Sequence, residues 1–170
     1  MNSVLVPISD LPNSHHAVHR VAAEFRRNPD MQIHLLNVRR PLSRRVSQLV
    51  RRSLRHDYHM ERAKIALEPA RKILDQYRIP YQVHVLVGDA AELIAEEAKR
   101  LRCDRIVMST ARKGSITRLL EDSTTERVLQ LTEVPVEMVV GDAISDLERY
   151  GVPAAIGAAA AALIALIVAS

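Results

Sequence analysis

A chain of 170 residues has the length of one domain with a proper core. Its apolar residues are almost all aliphatic; with no Trp, one Phe and four Tyr, an aromatic platform for stacking bases is excluded. The net charge is a modest +4, and Cys103, the one cysteine, excludes an intrachain disulfide and does not call for an oxidising compartment.

The start, Met1-Asn2-Ser3, runs straight into Val4-Leu5-Val6. It lacks the basic start, long apolar stretch and small-residue cleavage site of a signal peptide, so a mature, cytoplasmic start is expected. Val4 to Ile8 reads as the first strand, closed by Pro7 and the polar Ser9-Asp10 turn. Asn13 or Ser14 then caps a helix with Val18, Val21, Ala22 and Phe25 on one face. Ile33 to Val38 is the second strand.

One long helical stretch is expected from about Ser43 to Tyr77. Its first part is strongly basic, with Arg44, Arg45, Arg51, Arg52 and Arg55 following Arg39 and Arg40. Leu42, Val46, Leu49, Val50 and Leu54 recur between the arginines at helical spacing, which makes a basic amphipathic helix. Tyr81 to Val87 is the third strand, ending at Gly88-Asp89, and a helix with Leu93, Ile94 and Ala98 follows. Cys103, just before the next strand, reads as a small packed thiol. Ile106-Val107-Met108 is the fourth strand, continuous and apolar as central parallel strands are, and Val134 to Val140 is the fifth. Strands alternating with helices give an α/β class with a parallel sheet.

Residues 142–151 form a polar connector, and residues 152–170 carry no charge. A helix of that length spans about 28 Å, close to the thickness of a hydrocarbon core. Leu163, Ile164 and Ile167 carry much of its apolar weight, and Arg149 and Tyr150 flank it as interfacial residues do. A C-terminal membrane-spanning helix is therefore expected; a buried or partner-packed Ala-rich helix is the alternative.

An open parallel sheet binds ligands beyond the carboxyl ends of its strands, at the switch in strand order. Those loops here read Val6-Pro7-Ile8-Ser9-Asp10 after the first strand and Met108-Ser109-Thr110-Ala111-Arg112-Lys113-Gly114-Ser115 after the fourth. With Gly88-Asp89-Ala90-Ala91-Glu92, Glu121-Asp122-Ser123-Thr124 and Val134-Pro135-Val136, they resemble the universal stress protein family over residues 3–141. The resemblance implies an open five-stranded parallel sheet of order 3-2-1-4-5 with helices on both faces. It also implies a homodimer through the fifth strand and, in some members, bound ATP.

The family's nucleotide loop is Gly-x2-Gly-x9-Gly followed by Ser or Thr. Laid on this chain, its glycines fall on Ser109, Arg112 and Asp122, and Ser123 keeps the hydroxyl. Side chains at those positions obstruct the approach of backbone N–H groups to phosphate, and Asp122 puts a carboxylate where the anion belongs. Ser123 and Glu126 also make a capping box. No cofactor is therefore expected, with ATP the alternative; an occupied site would draw on Asp10, Met108, Ser109, Arg112 and Ser123.

His15 and His19 have metal-site spacing, but with no complementary Cys or carboxylate pattern they and His16 read as surface histidines, and no metal is expected. No Gly-x-Ser-x-Gly elbow, Cys–His pair or HExxH helix marks an enzyme. The arginine-rich segment reads as a contact for anionic lipid or a membrane partner, as a solvated face, or as a nucleic-acid contact, for which stacking residues are lacking. The leading expectation is a membrane-tethered, non-catalytic accessory subunit with an α/β domain at 1–141 in the cytoplasm. Contact would be made by Arg44, Arg45, Arg51, Arg52 and Arg55 and by Leu163, Ile164 and Ile167. The alternatives are an adenine-nucleotide-binding stress switch and a soluble homodimer with a packing tail helix.

Overall fold

The computed structural model describes residues 2–11, 14–110 and 124–140, without the side chains of Arg44 and Thr110. Five strands, β1 (Asn2–Pro7), β2 (Met31–Arg39), β3 (Gln82–Val87), β4 (Arg105–Thr110) and β5 (Val136–Val140), form one sheet. Their order is β3-β2-β1-β4-β5 and every pairing is parallel, as the resemblance implies. The helices are α1 (His15–Phe25), α2 (Arg44–Leu49), α3 (Arg52–Gln76), α4 (Ala90–Arg100) and α5 (Thr124–Leu131).

Alternation along the strands divides the core. Val4, Val6, Ile33 and Leu35 pack on one face with Val18 and Val21 of α1 and Leu67 and Leu74 of α3. Leu5, Leu36, Ile106 and Met108 pack on the other with Ile94 and Ala98 of α4 and Val128 of α5. β1 is buried on both faces because it lies at the centre of the sheet, which is why Val4-Leu5-Val6 is apolar without alternation. Burial of each large aliphatic side chain contributes about 1.5–3 kcal/mol. Cys103 is buried, as a packed thiol should be, and burial raises its pKa.

Two expectations are corrected. The single helical stretch from Ser43 to Tyr77 is two helices, because the backbone is extended at Val50 (φ −110°, ψ 130°) and Arg51 (φ −57°, ψ 148°). The β-branched Val50 favours that conformation. The membrane-anchored localisation is overturned: among the described residues no helix is long and apolar enough to cross a membrane. α3 has the length, at 25 residues, but carries Arg52, Arg55, Asp57, Glu61 and Arg62 in its first half alone. The C-terminal helix expected over 152–170, with Leu163, Ile164 and Ile167, lies outside the described residues.

Candidate functional site

The chain leaves β1 towards β2 and β3 on one side and later towards β4 and β5 on the other, so β1 marks the switch point. Beyond the carboxyl ends of β1 and β2, on the α3 face, lies a cleft of about 340 Å³. Ser9 and Asp10 line it from the loop after β1, Asn37 and Arg39 from β2, Arg40 from the loop that follows, and Tyr58 and His59 from α3.

Local contacts hold Asn37, Arg39 and Asp10 in place. The Ile8 amide donates to the Leu36 carbonyl at 2.7 Å and extends the β1–β2 ladder past the end of β1. Asn37 is only 1% exposed, and its side-chain nitrogen donates to the Ile8 carbonyl at 2.7 Å. Arg39 donates through one terminal nitrogen to both Asp10 oxygens at 2.8 Å, and Arg62 of α3 stands 3.9 Å from the same carboxylate. Tyr58 meets the His59 ring edge-on, with centroids 5.6 Å apart.

Among the described residues seven buried side-chain polar atoms have no hydrogen-bond partner, and three belong to this cleft: Asn37 Oδ1, Arg39 Nε and His59 Nδ1. An unpaired buried donor or acceptor costs about 1–3 kcal/mol. Grouped in one concavity, an acceptor, a donor and an imidazole nitrogen suit a ligand with a polar, heteroaromatic edge.

The residues named from sequence are distributed unequally. Asp10 lines the cleft. Met108 is buried in the core on the α4 face. Ser109 ties β4 to α1: its hydroxyl accepts from the Ala17 amide at 2.8 Å and donates to the Ser14 carbonyl at 3.2 Å. Arg112 and Ser123, and with them the loop after β4, lie outside the described residues. Asn37 and His59 were missed as site residues. The available signal was a polar residue inside an apolar strand run, Leu35-Leu36-Asn37-Val38.

Two other polar clusters lie outside this cleft. A second cleft of about 500 Å³ lies near Arg40, Asp89 and Arg127. Its acid is already matched: Asp89 caps α4 by accepting from the Ala91 and Glu92 amides, and it pairs with Arg127 at 2.7 Å. The hydrogen bond from Arg127 chiefly holds the Asp89 pKa low. On the α4 face of the sheet, His34 Nδ1 lies 3.1 Å from His84 Nε2, and His84 Nδ1 lies 3.2 Å from Glu97. No group of side chains suited to a metal ion occurs among the described residues.

Comparison with known proteins agrees with this geometry. A model described as the universal stress protein family matches residues 1–140. A universal stress protein of Methanocaldococcus jannaschii is 32% identical over 79 residues, 46% of each chain. The stress response protein NhaX of Bacillus subtilis is 28% identical over 79 residues, 46% of this chain and 48% of the relative. The matched stretch thus spans about half the length of these curated relatives. Among solved structures, the universal stress protein UspA of Lactobacillus plantarum superposes with a TM-score of 0.65 at 19% identity, covering 81% of this chain and 97% of that one. A universal stress family protein of Arabidopsis thaliana with AMP bound gives 0.59 at 17% identity, covering 84% and 94%. A universal stress protein in complex with cAMP gives 0.60 at 15% identity, covering 83% and 98%. At these identities the likeness establishes the fold.

Proposed function

The chain belongs to the universal stress protein family, and on that premise we propose that it is a non-catalytic protein that binds an adenine nucleotide in the cleft beyond β1 and β2. The observation that carries this reading is the set of unpaired buried polar atoms on Asn37, Arg39 and His59. The Asn37 oxygen would accept from the exocyclic amine of adenine, and His59 Nδ1 would meet a ring nitrogen. Asp10 offers an acceptor to a ribose hydroxyl, and Arg40, exposed at the rim, offers a cation to phosphate. Structural neighbours with AMP and cAMP bound support the same ligand class.

This places the binding energy in side chains. The glycines of the family's phosphate loop are replaced here by Ser109, Arg112 and Asp122, so backbone cradling of a long phosphate chain is not the basis of the proposal. Isothermal titration calorimetry of the full chain with AMP, cAMP and ATP tests it. Saturable binding of AMP or cAMP, weakened at least about tenfold by His59→Ala, is expected. Absence of heat for all three at millimolar ligand would reject the reading. Separately, among the described residues β5 pairs only with β4, and the edge they leave open supports a homodimer formed there.

A further inference from the structure

α2 and the first two turns of α3 stand apart from the core. Every fully buried residue of α3 lies at or after His59, and of residues 52–58 all but Arg55 are exposed. α2 and residues 52–65 of α3 nevertheless carry large apolar groups. Val46, Leu49, Leu54, Tyr58, Met60 and Ile65 supply six of the twelve exposed large hydrophobic residues described, and Leu49 is 88% exposed. A cluster of that kind on a solvent face marks an interaction surface.

The pattern within the patch narrows the occupant. Leu54, Tyr58, Glu61 and Ile65 are spaced i, i+4, i+7 and i+11, so they form one stripe about 16 Å long. The stripe lies opposite the face that buries Ala63, Leu67, Ala70 and Leu74. Val46 and Leu49 give α2 a shorter stripe at i, i+3. Around these residues the charge is one-sided: between Arg39 and Tyr58 there are seven arginines and one acid, Asp57. Arg45, Arg51 and Arg52 are exposed, and no ion pair joins them to a described residue. Apolar positions at helical spacing, flanked by unpaired cations, match the apolar face and acidic margins of an amphipathic helix.

We infer that α2 and the first half of α3 form a docking surface for an acidic amphipathic helix of a partner protein. Glu61 decides between this occupant and a lipid surface. Its exposed carboxylate sits inside the apolar stripe, between Tyr58 and Ile65, where an anionic bilayer would repel it and an acyl layer would leave it unsolvated. A protein partner can meet Glu61 with a single donor while its own carboxylates pair with Arg51 and Arg52. A second copy of the chain is disfavoured because it would set one arginine cluster against another. Tyr58 of the stripe also lines the cleft, but Leu49, Leu54, Arg51 and Arg52 do not, so changes at these four positions test the inference separately from the nucleotide reading.

The test uses the full chain and three labelled peptides of about 16 residues, long enough to be helical when bound. One carries leucines at i, i+3, i+4 and i+7 with glutamates beside them, one has the same composition with its leucines dispersed, and one has glutamine for glutamate. Fluorescence anisotropy at about 0.15 M salt should show the first binding at least about tenfold tighter than either control. Leu49→Ser with Leu54→Ser, and separately Arg51→Glu with Arg52→Glu, should each remove that preference. All four positions are exposed, so circular dichroism should show unchanged melting. Equal binding of the dispersed peptide, or no effect of the leucine changes, would overturn the inference in favour of unspecific charge attraction. Binding of phosphatidylglycerol vesicles that Leu54→Ser abolishes, with no peptide preference, would replace it with a lipid surface. Sedimentation showing self-association lost in the leucine variant would replace it with a dimer.

Discussion

The Asn37 side-chain nitrogen donates to the Ile8 carbonyl at 2.7 Å, which leaves the amide oxygen of this cleft-lining residue buried and without a partner among the described residues. The carbonyl can only accept, so the amide orientation is fixed by chemistry and not by fit. One buried side chain thereby locks the β1 loop to β2 and presents a lone acceptor. Adenine offers an amine to such an acceptor, whereas guanine places a carbonyl at the equivalent edge. AMP is therefore expected to bind in preference to GMP. Asn37→Leu should bring that preference close to unity and, by stranding the Ile8 carbonyl, lower unfolding stability by about 1–3 kcal/mol. Titration calorimetry and urea unfolding read the two effects separately. A preference that survives the change would detach Asn37 from base recognition.

Ser109, expected from sequence to belong to a nucleotide loop, bonds to α1 instead. Ser14, at the N-cap of α1, makes no side-chain cap bond, and the Ser109 hydroxyl reaches from β4 to accept from the third helical amide, Ala17. The helix start is capped by a neighbouring strand. Ser109→Ala should lower stability by about 1 kcal/mol, the usual cost of a lost cap, with AMP affinity changed less than about twofold. Chemical denaturation alongside calorimetry checks both. A large loss of affinity at unchanged stability would return Ser109 to the binding site.

Arg105 joins three elements. From β4 it reaches Glu24 of α1 at 2.6 Å and Glu137 of β5 at 3.3 Å, and Arg20 of α1 meets Glu137 at 2.9 Å. All the Arg105 contacts are partly shielded, so each side chain depends on the others for its charge balance. Arg105→Leu should destabilise by about 1–3 kcal/mol, and Glu24→Gln in the same chain should recover part of the loss. A double-mutant cycle in urea measures the coupling; additive effects would show that the two act independently.

The architecture was legible because apolar runs such as Val4-Leu5-Val6 and Ile106-Val107-Met108 can only be central strands, and the helix of Val18, Val21 and Ala22 has one apolar face. The site was less so. Asn37 and His59 come from β2 and α3, separated by 22 positions in sequence, and only the fold brings them to one cleft. Loop chemistry pointed to Asp10, which does line it, and to Ser109, whose hydroxyl is spent on α1. The break at Val50–Arg51 was hidden because Leu49, Val50 and Leu54 keep an amphipathic pattern across it. The segment at 152–170 suggested a membrane anchor by its lack of charge, its length and its Arg149-Tyr150 flank, with no packing argument behind it.

The His34–His84–Glu97 cluster makes acid stability measurable. His34 of β2 is buried against His84 of β3, and α4 supplies Glu97 and Arg100 to the same group. Burial first, and then the neighbouring His84, lower the His34 pKa below its ordinary 6.5. The folded chain therefore keeps His34 neutral where the unfolded chain takes up a proton. Stability is fully present above about pH 6.5 and falls as the pH drops below it, because the unfolded state binds more protons there. Glu97 acts lower on the scale: the hydrogen bond from Arg100 holds its pKa below 4.5, so its contribution is lost only as the pH falls through that lower folded value. Between about pH 7.5 and 5.5 the decline is thus dominated by histidine and not by carboxylates. The urea midpoint of the native chain should fall across that range, and His34→Gln, which cannot take up a proton, should flatten the fall. Equal slopes in the two proteins would show that the proton responsible binds elsewhere.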